Sequence, residues 1–105
     1  MAAQYRKIVD DRLRLSDAKG GGMLRREIWI DARSKVVRYN LAYINPLIYP
    51  GDNGRVLGYD SAHGEHHRHY RGRRMTVTFD SFEQIDRRFQ EEWVRLAKGG
   101  QYAQD

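Results

Sequence analysis

The chain has no cysteine, only two prolines and no histidine outside one short segment. Without cysteine there is no disulfide framework and no thiolate metal site, and a reducing cytoplasm is the expected compartment. Long apolar runs are also missing. The longest nearly apolar stretch, Leu41 to Pro50, is broken by Asn45 and two prolines, whereas a spanning helix needs about 20 apolar residues. No membrane is therefore expected as a partner, and the opening Met1-Ala2-Ala3-Gln4-Tyr5-Arg6-Lys7 lacks the apolar core of a signal peptide. Disorder is excluded from the other side. Hydrophobic residues make up 40% of the 105, with seven Tyr, two Trp and three Phe, more than a chain unable to build a core carries. A length of 105 reads as a single domain, 1–105, with residues 1–5 and 100–105 as frayed ends.

What the chain has in quantity is arginine. Lys and Arg number 19 against 14 acidic residues, a net charge of +5, and the isoelectric point is near 9.7. Only Lys7, Lys19, Lys35 and Lys98 are lysine. The guanidinium suits bidentate phosphate contacts and stacking on bases, so nucleic acid or an acidic protein is the expected partner. Simple solubility accounts for a charge of this size equally well.

Alternation marks the strands. Lys7 to Leu15 sets Val9, Leu13 and Leu15 against Ile8, Arg12 and Arg14. Gly20-Gly21-Gly22 follows in a loop and suggests flexibility. Met23–Ile30 and Val36–Ile44 alternate in the same way around the polar Asp31 to Lys35, the pattern of an antiparallel hairpin. Pro46 and Pro50 stop the second of these strands. Gly51-Asp52-Asn53-Gly54 is a turn signal, and Arg55 to Asp60 a short strand. Gly58 within it implies a bulge or a close approach. After an irregular or extended segment, Arg74 to Phe79 reads as another strand.

Asp80 and Ser81 open a helix with capping-box spacing to Glu83 and Gln84. Its apolar stripe is Phe82, Ile85, Phe89, Trp93 and Leu96, and Gly99-Gly100 should end it. The expected fold is α+β: an antiparallel β-sheet of about five strands with one C-terminal amphipathic helix packed on one face.

Tyr59 to Arg74 is where chemistry concentrates. His63, His66, His67 and His69 are interleaved with Arg68, Arg71, Arg73 and Arg74 and flanked by Tyr59, Asp60 and Tyr70. Three explanations stay open. The histidines can be structural, bonded to nearby carbonyls. They can ligate a metal, with His67 and His69 on one face of a strand and His63 and Asp60 completing a set, although the spacing matches no known zinc pattern. Or they can act on a phosphodiester. Imidazole exchanges protons near neutral pH, so one His can take the 2′-OH proton while another donates to the leaving oxygen. The arginines would then meet the charge on phosphorus. On that view the catalytic candidates are His63, His66, His67, His69, Tyr59 and Asp60. Arg68, Arg71, Arg73 and Arg74 would bind nucleic acid, with no metal and no cofactor.

The Gly58-Tyr59-Asp60 step, His63-Gly64 and the His66-His67-Arg68-His69 cluster resemble the core signature of the TumE-like family of small toxins from two-component toxin–antitoxin systems. The likeness runs from about Val36 through the C-terminal helix. It implies a role as a toxin beside a helix-turn-helix antitoxin, and it singles out Tyr59, Asp60, His63, Arg68 and His69. Small basic α+β ribosome-dependent nucleases of the RelE type are similar only in outline, and none of their catalytic residues transfers. The expectation is a toxin acting on RNA, in association with the ribosome or free of it, and leaning to a metal-independent endoribonuclease that inhibits translation. The alternative is a non-catalytic module binding nucleic acid or an acidic protein through the same Arg/His surface.

Overall fold

The alternating segments form one antiparallel sheet in the computed structural model, which describes residues 4–102. Its strands are β1 (Arg6–Arg14), β2 (Met23–Ile30), β3 (Val36–Ile44), β4 (Arg55–Ala62), β5 (Glu65–Tyr70) and β6 (Arg73–Thr76). They lie side by side in chain order, each hydrogen-bonded only to its sequence neighbours. The helix α1 (Phe82–Tyr102) crosses one face, on β3 and β4. The α+β class is as the sequence predicts.

The core forms where helix and sheet meet. Tyr39, Leu41 and Tyr43 of β3 and Leu57 and Tyr59 of β4 meet Ile85 and Phe89 of α1, all essentially without solvent contact. Phe82, Trp93 and Leu96 pack at its margin, so the predicted stripe is the buried face. Three of the largest buried side chains are tyrosines, and each buried hydroxyl finds a partner, as such groups must. Tyr43 donates to the Gly21 carbonyl, Tyr59 to Glu92, and Tyr39 bonds to His66. Ser81 caps α1 by accepting from the Gln84 amide at 3.1 Å. Gln84 does not complete a capping box, and its Oε1 is buried without a partner among the described residues.

Four details depart from the sequence prediction. There are six strands, because the segment expected to be irregular or extended is the extended arm of a hairpin: β4 continues to Ala62, turns at His63-Gly64, and returns as β5. The turn is possible because His63 and Gly64 both take positive φ, at 55° and 78°. The last strand stops at Thr76, and Val77 and Phe79 instead fold toward the core as the chain rises to the helix. The helix runs through Gly99-Gly100 to Tyr102. Glycine weakens a helix by only about 1 kcal/mol per residue, and Leu96 and Ala97 anchor the turn before it. The glycine loop is a contact rather than a flexible link. A Cβ on Gly20 would lie 2.7 Å from that of Ala97, so Gly20 is where the loop touches the end of the helix.

Candidate functional site

Strand alternation decides where each residue of the dense segment goes. Along β4 and β5 the cross-strand pairs are Gly58–His69, Tyr59–Arg68, Asp60–His67 and Ser61–His66. Directly paired residues share a face, and successive residues alternate. Asp60, His67 and His69 therefore lie on the face that α1 leaves uncovered, and Tyr59, Arg68 and His66 on the helix side. The sequence presents one cluster, and the sheet divides it into two.

On the uncovered face the polar groups form a chain. Asp60 is its centre: Oδ2 accepts from His69 Nε2 at 3.0 Å, and Oδ1 lies 3.3 Å from His67 Nδ1. Arg55 donates from Nη2 to His69 Nδ1 at 3.1 Å and from Nε to Asp52 at 2.8 Å. Because Arg55 has no acceptor to offer, His69 Nδ1 must accept and its proton sits on Nε2. Burial, and then the Arg55 charge, hold the His69 pKa below its ordinary value, with Asp60 opposing. The ring is thus neutral near pH 7. His67 is buried, and its Nε2 meets Glu65 at 3.0 Å. That carboxylate is mostly exposed, so this end of the chain opens to solvent.

Gly58 makes the chain possible. A Cβ there would sit 2.9 Å from Arg55 Cδ and 3.2 Å from the Leu41 carbonyl oxygen. The Arg55 stem lies over the bare backbone of β4 on its way to His69. The close approach expected of Gly58 is therefore real, whereas the strand irregularity falls at Val56, between the Tyr43–Leu57 and Ile44–Arg55 pairs.

The same face carries Trp29, opposite Lys7 on one side and Arg38 on the other. The Lys7 ammonium lies 5.0 Å and the Arg38 guanidinium 4.6 Å from its ring centre. Lys7 and Arg25 are tied to Glu27 at 2.6 and 3.1 Å. Arg12, Arg38 and Arg74 have no carboxylate partner among the described residues, which leaves their charge available. Arg12 shares this face by pairing with Arg25, and Arg74 by pairing with His69.

The helix-side residues are occupied differently. Arg68 grips Glu92 of α1 with two nitrogens, at 2.6 and 3.3 Å, and Tyr59 donates to the same carboxylate. Burial, then the bond to Glu92, push the Tyr59 pKa up to about 12. Neither residue faces the Asp60 chain: Arg68 and Tyr59 fasten the helix to the sheet. Arg71 folds back on Tyr70, and Arg73 and Arg74 are exposed on β6. His63 is exposed at the hairpin tip. Among the described residues no group of three or more His, Asp or Glu is arranged to hold a metal ion, and no helix is long and apolar enough to cross a membrane.

Sequence reasoning missed Arg55, Glu65, Trp29 and Arg38. Trp29 had a visible signal: it alternates with Met23, Arg25 and Glu27 on the polar side of β2. Arg55 had none beyond its position three residues before a strand glycine. Comparison of the chain with protein-family models, with curated proteins and with solved structures found no match.

Proposed function

We propose that this protein acts on RNA as the toxin of a toxin–antitoxin pair, binding the strand across the uncovered face of its sheet and cleaving it without a metal. One observation carries this: the β4–β5 hairpin brings Arg55, Asp60, His67 and His69 into a single hydrogen-bonded chain on the face that also presents Trp29, Arg12, Arg38 and Arg74. Antiparallel sheets that bind single-stranded RNA use an open face with aromatic platforms and cationic side chains. In the cleavage step a base removes the 2′-OH proton, O2′ bonds to phosphorus, the P–O5′ bond breaks, and an acid protonates O5′. The products are a cyclic phosphate and a free 5′-OH. Asp60 orients both imidazoles, as a carboxylate orients histidine in hydrolytic triads. His67 is buried, and its Nε2 would reach a substrate by exchanging the exposed Glu65 carboxylate for it.

A second reading is a binding module that cleaves nothing. It is favoured by the engagement of every ring nitrogen of His67 and His69 by protein groups. The two readings part on individual histidines. Expression of the protein alone should arrest bacterial growth. His67→Gln, His69→Gln and the tip variant His63→Gln, each checked by a melting curve, show which ring matters. Loss of a positioned acid or base removes typically 10²–10⁴-fold of rate. Folded variants that remain fully toxic favour the binding module, and a harmless wild type that neither binds nor cuts RNA overturns the toxin proposal.

A further inference from the structure

His66 stands apart from the Asp60 chain. Its Nδ1 lies 2.8 Å from the hydroxyl of the buried Tyr39, and its ring stacks on Phe79 with centres 4.0 Å apart. Burial keeps the Tyr39 hydroxyl protonated far above its ordinary range, and burial lowers the His66 pKa. A neutral ring that accepts from a tyrosine at Nδ1 carries its proton on Nε2. That nitrogen has no partner among the described residues. The stack and the tyrosine bond together hold the ring in place, so with Tyr39 donating to Nδ1, His66 presents a positioned Nε2–H that no protein group among the described residues engages.

The ring belongs to the lining of a cleft of about 410 Å³ at the β4–β5 tip, together with Tyr5, Arg38, Ser61, His63 and Glu65, whose carboxylate is bonded to His67 Nε2 at 3.0 Å. This volume falls within the roughly 300–1,000 Å³ of small-ligand sites. His67 and His69 are not part of the lining. Tyr5 is 58% exposed and offers an aromatic surface. Arg38 is exposed, and Trp29 steadies its guanidinium. His63 has no bonded partner among the described residues. The cleft therefore joins a charge for a phosphate, a neutral donor for a carbonyl or hydroxyl, and a ring for a base. A lone phosphate would use only the first of these, and an acidic side chain would leave the ring idle.

We propose that this cleft is a subsite for one nucleotide of an RNA strand, with Arg38 on its phosphate, Tyr5 on its base and the Nε2–H of His66 donating to a base or sugar oxygen. It rests on the RNA-binding function proposed above, and Tyr39 serves it as a positioning residue.

The test uses the full-length ¹⁵N-labelled protein, titrated with adenosine and uridine 5′-monophosphates, the corresponding nucleosides, and inorganic phosphate. Imidazole spectra of the free protein should show His66 as the Nε2–H tautomer. The nucleotides should give saturable shifts at His63, His66 and Arg38, and bind about tenfold tighter than nucleoside or phosphate alone, the worth of one charge-assisted contact. Arg38→Ala should remove about that factor. Tyr39→Phe should leave His66 in both tautomers and weaken the nucleotide severalfold. His66→Gln, which keeps a side-chain N–H, should retain more affinity than His66→Ala. If Tyr39→Phe does not fold, the Arg38 and His66 variants still decide. Equal binding of phosphate and nucleotide, or shifts confined to Arg71, Arg73 and Arg74, would overturn the subsite. An RNA oligomer that binds while no mononucleotide does would overturn the subsite alone. Mononucleotide binding without RNA binding would uphold the subsite and overturn the proposed function.

Discussion

The two faces of the sheet handle polar groups in opposite ways. Under the helix, polar atoms are few and most meet a protein partner: three tyrosine hydroxyls, and one carboxylate shared by Arg68 and Tyr59, with Arg26 Nε and Gln84 Oε1 the exceptions among the described residues. On the uncovered face they are many and joined in a chain whose ends, Asp52 and Glu65, reach solvent. A buried network must close on itself, because an unmet polar group in low dielectric has no water to fall back on. An open one can exchange a partner for a ligand. The two faces therefore differ in how their polar groups are partnered, and identical residue types acquire different surroundings one position apart in the chain.

The largest expected effect breaks the covered side. Phe89 is wholly buried between helix and sheet, so Phe89→Ala should cost ~3–5 kcal/mol, read from thermal or denaturant unfolding. The same truncation at Trp29 should leave the melt far less changed and lower RNA affinity instead.

Glu92→Ala comes next. It leaves Arg68 and the Tyr59 hydroxyl without their acceptor, and should cost ~2–3 kcal/mol in denaturant unfolding. Glu92→Gln, which keeps one accepting oxygen, should cost less. A Glu92→Ala protein as stable as wild type would show that the ion pair contributes nothing to docking the helix.

Titration separates the tyrosines from the histidines by the sign of the slope. The Tyr59 pKa is raised to about 12, above the unfolded value of about 10. The folded state thus holds a proton that the unfolded chain has lost, and stability should fall between those values by ~1.4 kcal/mol per pH unit. The His69 and His66 pKa values are lowered. Below about pH 6.5 the unfolded chain takes up protons that the folded rings refuse. Their contribution is therefore complete above that value and is lost as the pH falls. Tyr59→Phe should make the alkaline limb shallower, leaving the share of Tyr39, and His69→Gln the acid limb, leaving the share of His66, in melts taken across pH.

The smallest effect on stability is the sharpest probe of the uncovered face. Gly58→Ala should cost ~1 kcal/mol or a little more, because the new methyl displaces the Arg55 stem. With Arg55 moved off, the His69 pKa should rise, since the Arg55 charge is one cause of its depression. An NMR titration of His69 unchanged in Gly58→Ala would show that Arg55 finds another path to the ring.

Most of the sheet and all of the helix stripe could be read from alternation and the three- and four-residue spacing of Phe82, Ile85, Phe89 and Trp93, because those periods report burial directly. The β5 strand could not. Glu65-His66-His67-Arg68-His69-Tyr70 has no apolar alternation; its strand state comes from pairing with β4, a tertiary cause. The clustering of histidine was visible, and so was the sharing of a face by His67 and His69. The separation of Arg68 from Asp60 was not, since it depends on knowing that the segment is a hairpin. Arg55 was hidden for another reason: its reach to His69 depends on the absence of a side chain at Gly58.

The chain-order sheet also bears on how the protein comes to be folded. No strand waits for a distant segment of chain before it can pair, and closing short loops costs little entropy. Folding rates rise as contacts become more local, so for a β-rich domain this one should assemble quickly. The Arg55–Asp60–His67–His69 chain lies within a single hairpin of contiguous sequence. It emerges from synthesis before the helix that completes the core. The helix then supplies the stability that keeps the hairpin in place, so any partner able to lift the C-terminal segment would control the lifetime of the site without touching it.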